Sequence, residues 1–162
     1  MLRDELIQMA YSITKMNDEA KRAIGISALS NLKEGLEDGG IDPGDIPGCI
    51  RMFTKLLVSA DRACNEKEYA YFKEVTGIKL TYDEFFEMTN CGTDEEFVDE
   101  AFELIDILDR HDRIALVSYA AALLSYDNSF KVGEFKLLDR IMSGGDQNEQ
   151  PDDEEEDEDD ED

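Results

Sequence analysis

Apolar residues three and four positions apart recur along almost the whole chain, and that period admits helices and little else. Leu2, Leu6, Met9, Ile13 and Met16 form the first such stripe. Asp18 is placed to open a second helix, with Ile24, Leu29, Leu32 and Leu36 on one face and Gly39-Gly40 as its stop. The loop from Gly40 to Pro47, with Pro43 and Pro47 among its turn formers, breaks the pattern. Ile50, Phe53, Leu56, Leu57 and Ala60 share a third stripe, and a short turn after Asp61 leads to a helix through Tyr69, Phe72 and Val75. Thr81 with Glu84, and Thr93 with Glu96, fit the capping box S/T-x-x-E, in which two side chains satisfy free backbone N–H groups at a helix start. The last runs are Phe97, Ala101, Leu104, Ile105 and Leu108, then Ile114, Val117, Ala121 and Leu124, then Phe135, Leu138 and Ile141. No stretch alternates with the period of two that a half-buried strand needs, and Gly77 to Thr81 is too short for one. The expected fold is therefore all-α: a single bundle of seven to eight short helices over residues 1–142.

Past Ser143 the apolar letters vanish. The segment 146–162 holds thirteen of the 41 acids and no Lys or Arg, and it has nothing to bury against its ordering entropy. Residues 143–162 are expected to be a disordered polyacidic tail. The net charge of −25 is thus shared, because 28 acids against 16 bases leave about −12 on the body. Both parts repel phosphate backbones and anionic lipid, so neither direct nucleic-acid binding nor membrane insertion is expected. A basic protein, a polyamine or a metal cation is the complementary partner.

No run approaches the roughly 18 apolar residues of a membrane span. The first residues, Met1-Leu2-Arg3-Asp4-Glu5, place acids where a signal peptide carries bases, so the expected compartment is the cytosol. Cys49, Cys64 and Cys91 are odd in number and lack the C-x-x-C spacing of a zinc site, which suits a reducing environment with three unpaired thiols.

One feature goes beyond generic helix. Val58 to Val75 aligns without gaps on Leu124 to Ile141. In the first copy Asp61 is followed by Glu68, Tyr69, Phe72 and Val75; in the second, Asp127 is followed by Glu134, Phe135, Leu138 and Ile141. Each copy reads as a helix ending at Asp, a turn, and a helix carrying Glu seven positions on, an internal helix-turn-helix repeat. In these residues the chain resembles the tellurite-resistance TerB-like family, also found as the N-terminal domain of a membrane-anchored DnaJ-type co-chaperone. That family carries two copies of a pattern close to A-D-G-x-I-x-x-x-E in a pseudo-symmetric helical fold. The resemblance spans roughly Leu2 to Met142 and implies a stress-response setting and an acidic surface discussed as metal-binding, with Asp61, Glu68, Asp127 and Glu134 as the matching carboxylates. The family's Gly after each Asp is Arg62 and Asn128 here, and its aliphatic turn position is Cys64 and Phe130. Arg adopts the left-handed backbone poorly, so the first turn departs in shape, and Cys64 reads as a small buried residue.

Two readings of the four acids stand open. Clustered carboxylates can hold Ca²⁺ or another hard divalent cation through oxygen. Alternatively, Asn65 and Glu68 have the spacing of an N-cap and its N3 acid, and Asp61 can favour the same helix through its dipole. The runs after Asp61 and Asp127 lack the ligand order of an EF-hand. His111 is the single histidine, read as a solvated residue near a helix start. Tyr69, Tyr71, Phe72, Phe85 and Phe86 are read as core and groove residues. With no Ser/His/Asp set and no phosphate-cradling glycine loop, the expected function is non-enzymatic: an acidic helical interaction module in a bacterial or phage stress-response or defence setting. The alternative is an acidic decoy or chaperone, mimicking nucleic acid, for a basic nucleic-acid-binding protein.

Overall fold

The computed structural model describes residues 3–61, 65–90, 94–126 and 132–143, with side chains throughout except at 3, 60, 61, 90 and 132–135. The tail, both acidic turns, Thr93, Cys64 and Cys91 lie outside these residues. Within them the chain is all-α, with eight α-helices, one 3-10 turn and no strand. The helices are α1 (Arg3–Thr14), α2 (Asp18–Asp38), α3 (Ile46–Asp61), α4 (Glu66–Thr76), α5 (Tyr82–Asn90), α6 (Glu95–Asp106), α7 (Arg110–Leu124) and α8 (Val132–Ser143), with the 3-10 turn at Pro43–Asp45.

Local chemistry accounts for most boundaries. Asn17, Asn65, Asp94 and Asp109 each accept the N–H three residues ahead, on Ala20, Glu68, Phe97 and Asp112, at 2.8 Å. Thr81 and Glu84 form the expected reciprocal box: Thr81 N–H donates to Glu84 Oε1 at 2.8 Å, and Glu84 N–H to Thr81 Oγ1 at 3.1 Å. Thr93, and with it the Thr93–Glu96 reading, lies outside the described residues. Asp94 takes the cap one residue later, where its carboxylate also meets the positive end of the helix dipole. α2 stops at Gly40, whose φ of 101° suits glycine, with Gly40 N–H donating to Glu37 O at 3.0 Å and Ile41 N–H to Leu36 O at 2.9 Å. α4 stops in the same spirit at Gly77, whose N–H donates to Lys73 O at 3.1 Å. Gly77 to Thr81 then runs irregularly.

The repeat is visible in space. Glu66 and Val132, which are equivalent under the alignment, open α4 and α8. Val58 and Leu124, Phe72 and Leu138, and Val75 and Ile141 are matched core positions. The copies interlock: α4 packs on α7, and α8 packs on α3 as well as α7. α7 is the central helix, meeting α1, α2, α3, α4 and α8. Ten of its fifteen residues are buried, including the unbroken run Tyr119 to Leu124, so it is apolar all round rather than striped. Tyr71, Phe72 and Phe85 join the core and Tyr69 packs against it, as expected. Phe86 does not: it is 45% exposed on the outer side of α5, because Phe85 already takes the inward position there. No helix among the described residues is long and apolar enough to cross a membrane.

Candidate functional site

Of the four repeated carboxylates, Glu68 alone has a described side chain. Asp61 closes α3 and Glu134 lies in the first turn of α8, with their side chains outside the described set, and Asp127 lies wholly outside it. Glu68 sits at the third position of α4, its N–H capped by Asn65, and its side chain is completely buried. Burial separates it from an ordinary cap-box acid, which stays in solvent. A carboxylate removed from water is costly unless its surroundings compensate it, so Glu68 belongs to the interior architecture. Among the described residues no group of three His, Cys, Asp or Glu is placed to hold a metal ion.

The polar interior near the repeat is organised by a residue that the sequence reading passed over. Lys21 is 1% exposed. Its Nζ donates to Ser125 O at 2.8 Å, and its own carbonyl accepts the Tyr71 hydroxyl at 2.6 Å. Ser125 stands two residues before Asp127, and Tyr71 one helical turn after Glu68. The first turn of α2 therefore ties the second helix of one copy to the turn of the other. Arg22 adds a bond from Nη1 to the Tyr126 hydroxyl at 2.7 Å and lies 3.7 Å from Glu74. The Tyr71 ring packs 4.7 Å from that of Tyr126 and 6.4 Å from that of Tyr119, whose hydroxyl shares a 2.8 Å bond with Thr54. Burial pushes the Tyr71 and Tyr119 hydroxyls well above the ordinary tyrosine range, so both stay protonated. A signal for Lys21 existed: it lies in register with Gly25, Ala28, Leu32 and Leu36, the buried stripe of α2.

Comparison with protein-family models, with curated proteins and with solved structures gives no match. The chain's own chemistry carries the functional reading.

A second feature emerges when charge is placed on the fold. Residues 82–106, covering α5 and α6, hold ten of the 28 body acids and none of the 16 bases. The remaining body has 18 acids against 16 bases, a net of −2, so nearly all of its negative charge sits on these two helices. All ten acids are exposed. The inward side of α6 is apolar (Ala101, Phe102, Ile105) and rests on α3. The acid-rich composition of this stretch is legible in the sequence; that all ten acids face solvent is not.

Three surface clefts lie among the described residues. One of about 210 Å³ is walled by Leu29, Ile46, Ile50 and Ile78, and one of about 320 Å³ by small residues of α2 and α7 beside the exposed His111. The cleft of about 500 Å³ beside Gly77 contains Tyr69, Lys73, Lys79 and Glu84. There the Tyr69 hydroxyl already donates to Leu80 O at 2.6 Å, and Glu84 is engaged by the Thr81 cap.

Proposed function

We propose that this protein is a non-enzymatic, acidic helical interaction module of TerB-like kind that captures a cationic protein partner. The bacterial or phage stress-response or defence setting rests on the resemblance of its Asp–Glu repeats to that family. The single observation that carries the reading is the charge distribution: a closely packed helical body whose excess acids are gathered on α5 and α6, followed by thirteen more in residues 146–162. Surfaces of one sign attract the opposite sign and repel their own, which favours a basic partner over phosphate backbones.

The decoy reading has its own support on α6. Twelve residues at about 1.5 Å each span about 18 Å, so its six acids present about one charge per 3 Å. The phosphates of one DNA strand follow at about 3.4 Å along the axis. A protein that grips a DNA strand through Lys and Arg would meet a comparable charge density here. The expected result with random duplex DNA at low salt is no gel shift by the protein alone. A robust shift without a third component would sink both readings.

For the repeated acids, the proposed role is structural, supported by the buried Glu68 and its Asn65 cap. A ligand that prefers the native state raises its melting midpoint. Ca²⁺ and Mg²⁺ are therefore expected to shift wild type and the Asp61→Asn/Asp127→Asn double variant equally, through loose condensation on the acidic tail. A saturable gain at sub-millimolar cation, present in wild type and lost in the double variant, would establish a metal site instead.

A further inference from the structure

We propose that a monomeric medium-chain fatty carboxylate binds across two clefts that meet at Ile78, with its head group between Lys73 and Lys79 and its chain in the apolar cleft beyond. This goes past the capture reading and does not depend on it.

The cationic end is built by α4 and the irregular segment that follows it. In a chain of 41 acids and 16 bases, the cleft of about 500 Å³ is lined, among the described residues, by two lysines and one acid. Neither Lys73 nor Lys79 forms an ion pair with another described residue. The acid, Glu84, accepts the Thr81 N–H at 2.8 Å at the start of α5, where the positive end of the helix dipole offsets its charge. Two ammonium groups are thus left lining a cleft on a body of net negative charge, and they set the sign of the occupant.

The segment carrying Lys79 is held in place before any ligand arrives. The Tyr69 hydroxyl donates to Leu80 O at 2.6 Å, and Ile78 N–H donates to Thr76 Oγ1 at 3.0 Å, so both ends of 78–80 are pinned to α4. That bond occupies the Tyr69 hydroxyl and leaves its ring as cleft wall, with the Lys73 ammonium 5.7 Å from the ring centre. A cleft already formed loses less ordering entropy on binding.

The apolar end lies across Ile78. The same residue lines the cleft of about 210 Å³, together with Leu29, Pro43, Ile46 and Ile50. Lys33 and Glu37 line it too, one of each sign, so this end adds no net charge. A cationic cleft joined to an apolar one through a shared residue matches an occupant with one anionic head and one apolar chain. An inorganic anion would leave the apolar walls unused, and a neutral hydrocarbon would leave the lysines unused. The chain's own tail matches only the cationic end, because residues 146–162 hold no aliphatic or aromatic side chain apart from Pro151. The larger cleft falls in the range of about 300–1,000 Å³ typical of small-molecule sites.

The test is calorimetry of the full chain with dodecanoate, near physiological salt and below the concentration at which dodecanoate forms micelles. Saturable binding is expected. Octanoate, four methylenes shorter, is expected to bind about tenfold or more weakly, since each buried methylene contributes about fourfold. Lys73→Gln/Lys79→Gln is expected to weaken dodecanoate binding by about tenfold, through loss of charged hydrogen bonds to the head group. Ile78→Ser is expected to weaken it by about tenfold, through loss of apolar contact. Lys15→Gln, at an exposed lysine just past α1, is expected to bind as wild type does. Lys73 and Lys79 are exposed and Ile78 is half-buried outside any helix; should Ile78→Ser lose its helical circular dichroism, Ile78→Ala serves in its place. No saturable heat with dodecanoate would overturn the proposal. So would equal binding of dodecanoate and octanoate, which would reduce the contact to ion pairing, or equal binding by wild type and the Lys73/Lys79 and Ile78 variants. Cosedimentation with phosphatidylglycerol vesicles in the absence of monomer binding would assign the face to a lipid surface and overturn it as well.

Discussion

Lys21→Ala is expected to cost about 2–5 kcal/mol, the range for truncating a long, fully buried side chain to alanine. The residue is 1% exposed, its ammonium donates to Ser125 O at 2.8 Å, and its carbonyl receives the Tyr71 hydroxyl. Truncation removes the ammonium, takes the donor from the Ser125 carbonyl, and opens a void where three methylenes were packed. Domains of this size hold about 5–15 kcal/mol in total, so the loss is a large share of stability. At about 2–4 °C per kcal/mol, the midpoint is expected to fall by about 4–20 °C. Lys21→Met separates the contributions, because it restores the aliphatic volume and not the charge. Thermal unfolding followed by circular dichroism should therefore place Lys21→Met below wild type and at or above Lys21→Ala. A Lys21→Ala midpoint within a degree or two of wild type would mean that the ammonium does not hold α2 to the end of α7.

Gly25→Ala is expected to destabilise, against the usual sign for such a change. Inside a helix, glycine normally costs about 0.5–1 kcal/mol relative to alanine, because it loses more backbone freedom on folding. At Gly25 an added Cβ meets the Tyr71 hydroxyl directly and comes within 2.8 Å of Val75 Cγ1. Tyr71 cannot retreat freely, since it is buried, packed on Tyr126 and bonded to Lys21 O. Overpacking of this kind costs about 1–3 kcal/mol, and disturbance of the Tyr71 bond adds about 1 kcal/mol. The net loss, after the entropic gain, is about 1–3 kcal/mol. Gly48 is the internal control: it lies in α3, and a Cβ there meets nothing within 4 Å. Gly48→Ala should be neutral or stabilising by up to about 1 kcal/mol. If both alanines raised the midpoint alike, α2 and α4 would not approach as closely as described.

Much of this architecture was legible in the chain, because helix period and cap chemistry are local. The Thr81–Glu84 box, the Asn65 cap, the stop at Gly40 and the Asp18 start all follow from side chains within a few residues of one another. At the start of α6 Asp94 is the N-cap, and Thr93 lies outside the described residues. Position in the bundle was less legible. Four residues of α7 were read as a single stripe, whereas its flanking alanines and leucines are buried too, since α7 is surrounded by α1, α2, α3, α4 and α8. Charge misleads in a related way. Lys21 looks like a surface residue until its register with Ala28 and Leu32 is noticed, and Glu68 looks like a cap until its burial is known. The repeat was found from identity of spacing, which survives divergence; the acidic surface of α5 and α6 needed the fold to show that its acids all face outward.

The central claim is that excess carboxylates on a packed helical scaffold drive capture of a cationic protein partner. Its most direct test is the association constant of the full chain with a lysine-rich amphipathic helix, followed from about 50 mM to about 500 mM salt, across which the Debye length shrinks several-fold. The account predicts saturable binding at the low end that weakens steadily as salt rises, with a slope that becomes shallower when Glu96, Asp99 and Glu103 are reversed to Lys. Absence of saturable binding at the lowest salt, or an association constant indifferent to salt, would contradict it.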